Sequence, residues 1–357
     1  MERKKTKEIL VGDVRIGGAH PISIQSMNTT DTRDIEASVA QICRLRDAGC
    51  DIARVAVPDR EAALALADIT KRSPIPVVAD IHFDYRLALL SMENGAAKIR
   101  INPGNLGGED RIRRVAEAAK KRGVPIRVGV NSGSISPELI RQFGGVNSHS
   151  MVESALQAVT SLEKCDFYDI AVSIKSSDVP LTLESYRLLS ERIEYPLHIG
   201  ITEAGSVREG TIRSAVGIGA LLSEGIGDTL RVSLTGDPIE EIYVAIRILR
   251  AFDLRPKGIR VVSCPTCGRT QVPLIELAEK VESAVAELPY NIRVAVMGCA
   301  VNGPGEARES DVGIAGGKDC FLLFREGNIL RKVSADRALD ELLAEIHKIG
   351  REEKKGC

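Results

Sequence analysis

Ile22-Ser-Ile-Gln25, then Asp34-Ile-Glu-Ala-Ser-Val39-Ala-Gln-Ile-Cys43, then Gly49-Cys-Asp51-Ile-Ala-Arg-Val-Ala56 make up one complete structural unit. The outer pieces are short, apolar and rich in β-branched residues, as buried strands are. Between them Thr32 or Asp34 can cap a helix, and Ile35, Val39, Ile42 and Cys43 line one side of it. Gly49 can close that helix in the left-handed conformation. The same order of strand, polar loop, amphipathic helix and glycine turn recurs, in pattern though not in identity, to about residue 255. Strands are expected at 22–25, 51–56, 77–80, 98–101, 126–130, 170–174, 197–201 and 229–232, and Gly95, Gly123 and Gly225 end later helices. Eight such units in about 250 residues predict a TIM (β/α)8 barrel. An open doubly wound sheet is the competing architecture, but no nucleotide-binding fingerprint accompanies these units, which favours closure.

The chain has 357 residues, 44% hydrophobic and 27% charged, enough for two domains with buried cores. A formal net charge of −1 argues against general binding to nucleic acid or to a membrane surface. The charged start Met1-Glu-Arg-Lys-Lys-Thr-Lys-Glu lacks the apolar segment of an export signal, and no run approaches the length of a bilayer span. Eight cysteines in such a chain point to a reducing cytoplasm. Domains are expected over residues 1–255, the barrel, and 256–357, a small α+β domain, joined by the hinge-like Leu254-Arg-Pro-Lys-Gly258.

A barrel of this kind builds its active site at the C-terminal ends of its strands. The polar residues there are Gln25, Ser26 and Asn28; Arg54; Asp80 and His82; Arg100 and Asn102; Arg127 and Asn131; Lys175; His198, Thr202 and Glu203; and Arg231 and Ser233. A single charged residue in a strand is most often solvated or paired. Arg54, Arg100, Arg127, Lys175 and Arg231 converging on one mouth would repel strongly unless an anion sat among them. Arginine grips phosphate bidentately and lysine acts as a point charge, so the expected ligand carries more than one phosphoryl group. Asp80 and Glu203 are the carboxylates placed near these cations. Asp80 reads as a partner that orients an arginine, and Glu203, on the glycine-bounded turn Ile199-Gly-Ile-Thr-Glu-Ala-Gly205, as a group able to exchange a proton. His82 and His198 lack partners at ligand spacing and read as orienting or core histidines. Asn102-Pro-Gly-Asn-Leu-Gly-Gly108 is no Walker loop, because no Gly-Lys-Ser/Thr follows.

The last hundred residues carry the second constellation. Cys264-Pro-Thr-Cys267 follows the apolar run Ile259-Arg-Val-Val262, and Ile292-Arg-Val-Ala-Val-Met297 ends in Gly298-Cys299-Ala-Val-Asn302-Gly-Pro-Gly305-Glu306. A helical stretch between the runs makes a βαβ unit, with thiols at the ends of two neighbouring parallel strands. Two short strands around Glu326-Gly-Asn328 and a helix over 334–348 complete the domain. A lone C-x-x-C is more often redox-active, zinc-binding or incidental. Structural zinc wants four nitrogen or sulfur ligands, and the only histidine beyond residue 198 is His347, in a charged helix. Three thiolates with a carboxylate nearby suit an iron–sulfur cluster better, with one iron weakly held and so reactive. Cys43, Cys50 and Cys165 read as small core hydrophobes, and Cys320 and Cys357 not as ligands.

Cys264-Pro-Thr-Cys267-Gly-Arg-Thr and Met297-Gly-Cys-Ala-Val-Asn-Gly-Pro-Gly-Glu306 resemble the signatures of the 4-hydroxy-3-methylbut-2-enyl diphosphate synthase family, iron–sulfur reductases of the methylerythritol phosphate route to isoprenoids. The resemblance extends over essentially the whole chain, with no departure at the motif positions. It implies reductive ring opening and dehydration of 2-C-methyl-D-erythritol 2,4-cyclodiphosphate to the linear allylic diphosphate, through a 4Fe–4S cluster fed by ferredoxin or flavodoxin. By the same resemblance Cys264, Cys267, Cys299 and Glu306 would bind the cluster, with Glu306 on the iron that substrate oxygen can displace. Arg54, Arg100, Asn102, Arg127, Asn131, Lys175, Arg231 and Ser233 would hold the diphosphate, Glu203 would serve proton transfer, and Asn302 would lie near the reacting oxygen. A head-to-tail homodimer is implied, as is the compact two-domain form without the extra domain of plant-type relatives. Two other readings compete. Ser26-Met-Asn-Thr-Thr30 faintly resembles dihydropteroate synthase, a barrel enzyme of pterin substrates, but that family needs no cluster. A non-catalytic electron-transfer or iron-sensing protein would leave the rim cations unexplained.

Overall fold

The alternation of apolar residues within each short run decides where the strands turn their side chains. The computed structural model describes residues 2–255, 258–286, 288–299, 307–318 and 320–353. They divide into two units, Met1–Arg255 and Pro256–Cys357.

The first unit opens with a hairpin, β1 (Ile9–Val11) and β2 (Val14–Ile16), paired antiparallel. Its two-residue turn has Gly12 at φ 62°, the positive φ that such tight connections require. Eight strands follow: β3 (Ser23–Met27), β4 (Ile52–Ala56), β5 (Val77–Asp80), β6 (Lys98–Ile101), β7 (Ile126–Asn131), β8 (Ile170–Lys175), β9 (His198–Ile199) and β10 (Thr229–Leu230). They form one sheet in the order β8-β7-β6-β5-β4-β3-β10-β9, with parallel pairing throughout. A parallel bridge between Val172 and Leu197, with the Val172 N–H donating to the Pro196 carbonyl at 2.9 Å, joins β8 to the strand beyond and closes the barrel. The expected TIM barrel is therefore present, and each strand lies within a few residues of its expected bounds.

Helices cover the outside, and side-chain caps start most of them. The helix Ile35–Asp47 is capped by Asp34, whose carboxylate accepts from the Ala37 N–H at 3.0 Å. Asp59, Asp178 and Ser206 cap Arg60–Arg72, Val179–Arg192 and Val207–Ser223 in the same way. The buried stripes of these helices pack on the outward residues of the strands to make the main apolar core. The hairpin was not anticipated. Its Ile9, Val11 and Ile16 form a separate buried cluster with Ile52, Val78 and Ala171, the inward residues at the N-terminal ends of β4, β5 and β8. The hairpin thus plugs the end of the barrel opposite the C-terminal ends of its strands.

The second unit is a sheet of five strands in the order β11-β12-β13-β14-β15: β11 (Arg260–Ser263), β12 (Arg293–Met297), β13 (Val312–Gly317), β14 (Cys320–Arg325) and β15 (Asn328–Ser334). The first three are parallel and the last two antiparallel. Glu326 and Gly327 both have positive φ, 49° and 77°, as a type I′ hairpin demands. The helices Leu274–Val285 and Ala338–Glu353 bury Leu274, Val281, Leu342 and Ile346 against Val294, Val296, Ile314 and Leu323 of the sheet. The expected βαβ unit and the strands around Glu326 are there. β13 is an addition, its glycines having obscured the strand pattern. Gly313 lies where an added Cβ would come 2.5 Å from the Phe324 ring.

Candidate active site

Period-two alternation carries Arg54, Asp80, Arg100, Arg127 and Lys175 to the inside of the barrel, and Arg231 follows β10 on the same face. The register places Asp80 beside Arg100 and Arg100 beside Arg127. Asp80 is 5% exposed. Its Oδ1 accepts from Arg100 Nη1 at 3.2 Å, while Arg54 Nε and His82 Nε2 lie 3.8 and 3.4 Å from Oδ2. Burial alone would raise this carboxyl, but the Arg54 guanidinium, His82, Arg100 and Arg127 together hold it well below the usual carboxylate range. Arg54 also donates to the Met27 thioether at 2.9 and 3.2 Å, and Arg231 Nη1 lies 4.0 Å from the same sulfur.

A second buried carboxylate serves Arg231. Glu241, 3% exposed, comes from the helix Pro238–Ala251. It accepts from Arg231 Nη2 at 3.0 Å and Nε at 3.2 Å, from the Leu234 N–H at 3.1 Å and from Ser26 Oγ at 2.8 Å. All the lone-pair directions of this carboxylate are therefore used, and Arg231 is held in one orientation. The sequence reading missed Glu241 and placed Ser26 at the rim. Ser26 instead turns outward to Glu241. The available signal was a carboxylate on the apolar stripe of its helix, next to Ile242, Ala245 and Ile248.

The remaining cations are short of partners. Arg127 is 1% exposed, and only Nη1 is bonded, to Ser173 Oγ at 3.3 Å; Nε and Nη2 are buried without a partner among the described residues. Burial, and next the guanidiniums of Arg54 and Arg100, pushes its proton affinity down. An arginine does not give up that proton, so a nearby anion is its natural complement. Lys175 is 7% exposed and is pushed well below the ordinary lysine range by burial, then by Arg127, Arg54, Arg231 and Arg100. Two glycines make room: a Cβ on Gly129 would meet Arg100 Nε at 2.5 Å, and one on Gly200 would meet Lys175 Nζ at 2.8 Å. Five cations set around two buried carboxylates leave a strongly positive mouth, suited to a small oligoanion.

Around this mouth Asn102 accepts from the Gly104 N–H at 3.2 Å through its side chain, and the Asn131 N–H donates to Ser134 Oγ at 3.0 Å. Ser233 is half-buried two residues past Arg231. Glu203 is exposed at φ 52°, a left-handed conformation that a glutamate adopts only when its surroundings impose it.

In the second unit the C-x-x-C loop follows β11 and Cys299 follows β12, and these strands are parallel neighbours. The Gly298 N–H donates to Cys264 Sγ at 3.2 Å, and the Gln271 N–H to the Gly298 carbonyl at 3.0 Å, so the two loops are bonded to each other. Cys267 is exposed. The Arg269 backbone and guanidinium, with Thr270, lower its thiol below the ordinary range and favour the thiolate that binds metal. Asn302 and Glu306 lie outside the described residues. Among the described residues no three His, Cys, Asp or Glu are gathered closely enough for a single ion. A cluster spreads its ligands over several irons, and thiolates on adjacent loops receiving N–H donors are the donor set it uses. The residues present therefore fit such a group. Of the other cysteines, Cys50 is buried and its thiol pushed up to about 12 by desolvation, whereas Cys43 and Cys165 are half-buried.

The chain matches two family profiles, the GcpE TIM-barrel domain over residues 6–246 and the GcpE protein C-terminal domain over 260–348. It is 59% identical to 4-hydroxy-3-methylbut-2-en-1-yl diphosphate synthase (flavodoxin) of Ruminiclostridium cellulolyticum, over 97% of this chain and 98% of that one. It is 56% identical to the protein of the same name from Geobacter sulfurreducens, over 97% and 98%. Among solved structures it overlies Yersinia pestis dihydropteroate synthase at a TM-score of 0.48 and 14% identity, over 69% of this chain and 98% of that one. The chain belongs to the GcpE family.

Proposed function

We propose that the chain converts 2-C-methyl-D-erythritol 2,4-cyclodiphosphate to (E)-4-hydroxy-3-methylbut-2-enyl diphosphate. Two electrons and two protons enter, the C–O bond to one phosphoryl group breaks, and one water leaves. The observation that carries this reading is the mouth of Arg54, Arg100, Arg127, Lys175 and Arg231, five buried or half-buried cations with too few anions of their own. These five, with Asn102, Asn131 and Ser233, would hold the two phosphoryl groups. They would also stabilise the charge that grows on the phosphoryl oxygen as the ring opens. Glu203, beyond β9, would carry on its carboxyl the proton that departs with the leaving hydroxyl. Cys264, Cys267, Cys299 and Glu306 would hold a 4Fe–4S cluster, which when bound supplies electrons one at a time, and Asn302 would lie beside the reacting oxygen. The name of the relatives supports a reduced flavodoxin as donor, with ferredoxin as the other choice. No helix among the described residues is long and apolar enough to cross a membrane. A cytoplasmic homodimer, head to tail, completes the reading.

Anaerobic purification with iron and sulfide analysis, followed by turnover of the cyclic diphosphate with a chemical reductant, tests it. Cluster-loaded protein that binds the cyclic diphosphate but forms no linear product overturns it.

A further inference from the structure

Beneath the phosphate-binding mouth lies a layer of polar side chains with several buried atoms that have no partner among the described residues. Lys98 of β6 turns to the same side as Arg100, two residues deeper, and is fully buried. Its Nζ has no partner among the described residues. The same is true of Arg127 Nε and Nη2, His198 Nε2 and both polar atoms of the Gln25 amide. These groups come from β6, β7, β9 and β3, and none is more than 1% exposed. The charged and titratable groups on the same inward face as Lys98 are Arg54 on β4, Asp80 on β5, Arg100 on its own strand, Arg127 on β7, Lys175 on β8 and His198 on β9, and of these Arg127 and Arg54 act on it most.

Six cationic side chains, Arg54, Lys98, Arg100, Arg127, Lys175 and Arg231, thus face two buried carboxylates, Asp80 and Glu241. Such an excess of like charge in a desolvated space is expensive. Arginine cannot relieve it by losing a proton and lysine can. Lys98, deeper and less exposed than Lys175, is the better placed to do so.

We propose that Lys98 is a buried charge-balancing residue of the phosphate site, neutral while the mouth is empty and protonated once an oligoanion occupies it. Binding of the diphosphate is then coupled to uptake of up to one proton from solution. Burial, and next the Arg127 and Arg54 guanidiniums, pushes Lys98 well below the ordinary lysine range, in keeping with this. The direction follows from electrostatics: an anion beside Arg127 favours the charged form of Lys98 and raises its affinity for a proton. Uptake is greatest between the affinities of the empty and the filled site and vanishes below the lower one. The inference rests on the anion-binding reading of the mouth and adds a residue to it. A deep ammonium also suits the reaction, because ring opening turns a phosphodiester into a terminal phosphate with one more ionisable hydroxyl.

The test is calorimetric titration of cluster-loaded, unreduced protein with the cyclic diphosphate, at mildly alkaline pH, in buffers of different ionisation enthalpy. Each phosphorus of that ligand has a single strongly acidic hydroxyl, so any proton taken up goes to the protein. Wild type should take up most of a proton, and its affinity should fall as pH rises, by up to about tenfold per unit. Lys98→Met, which keeps the length and removes the titration, should bind with little uptake and a nearly flat pH profile, and should unfold no earlier than wild type. Lys98→Gln provides a second neutral side chain and should behave likewise. Uptake that is equal in wild type and both variants, or absent from a wild type that binds the ligand, overturns the proposal. Failure of the cyclic diphosphate to bind at all would remove the anion-binding reading itself, and this inference with it.

Discussion

Glu241→Gln exchanges a carboxylate for an amide of the same shape at the point where Arg231 is fixed. The carboxylate accepts four hydrogen bonds, two from Arg231, one from the Leu234 N–H and one from Ser26 Oγ, at 2.8 to 3.2 Å. The amide keeps one accepting oxygen and turns an NH2 group toward donors, so at least one guanidinium N–H loses its acceptor. Breaking a buried pair from one side costs roughly 3–5 kcal/mol. The Arg231 side chain retains 19% exposure at the mouth and can partly rehydrate, which argues for the lower end, about 3 kcal/mol. For a domain of this size that is a fall in Tm of roughly 6–12 °C. Thermal unfolding of cluster-loaded protein measures it, and a double-mutant cycle with Arg231→Met isolates the pair. A coupling of about 2 kcal/mol is expected, within the usual range for residues in direct contact. Single effects that add to within about 0.5 kcal/mol would refute the claim that Glu241 acts through Arg231.

Arg231→Ala should raise KM for the cyclic diphosphate while leaving the cluster spectrum alone, and an unchanged KM would exclude Arg231 from the phosphate grip. Cys299→Ser should give cluster-poor protein in iron and sulfide analysis, and a full complement would show that Cys299 is no ligand. Glu203→Gln should keep the cluster and substrate affinity yet lower kcat by about a hundredfold or more, the usual worth of a positioned proton donor; unchanged kcat would remove it from the chemistry. Gly129→Ala should displace Arg100, because its Cβ would fall 2.5 Å from Nε, and so raise KM with the iron content intact. The Asp80 carboxyl is held well below its unfolded value near 4 by its cationic neighbours, so its contribution to stability is complete above that pH. It should be lost progressively as the solution is acidified further, and Asp80→Asn should flatten that acid limb of the unfolding midpoint.

Much of this molecule is legible from periodicity. The eight βα units, their glycine stops and the inward cations all follow from alternation within runs such as Lys98-Ile-Arg100-Ile. That same alternation places Lys98 inside, but a lysine at the deep end of a strand looks like a solvated start until the barrel is closed around it. Glu241 was missed for the converse reason: a carboxylate on a helix reads as surface unless its position on the buried stripe is weighed. β13 was hidden by Gly313, Gly316 and Gly317, which lower strand propensity; a Cβ on Gly313 would meet Phe324 and the Ala295 carbonyl, and one on Gly316 would meet Val272 and the Gly298 carbonyl. The short hairpin at residues 9–16 was overlooked although Gly12-Asp13 between apolar runs is a recognisable turn. The thiol motifs were plain in sequence because their spacing is local, whereas the partnership of Arg231 with Glu241 requires the fold.

That hairpin has a consequence for traffic. With Ile9, Val11 and Ile16 wedged against Ile52, Val78 and Ala171, the N-terminal end of the barrel is sealed by apolar side chains. Traffic to the cations at the other end does not pass through that seal, so a product lingering among them competes with the next arrival. Deleting the stopper would strip that apolar cover from Ile52, Val78 and Ala171 and open the lower end of the barrel to water.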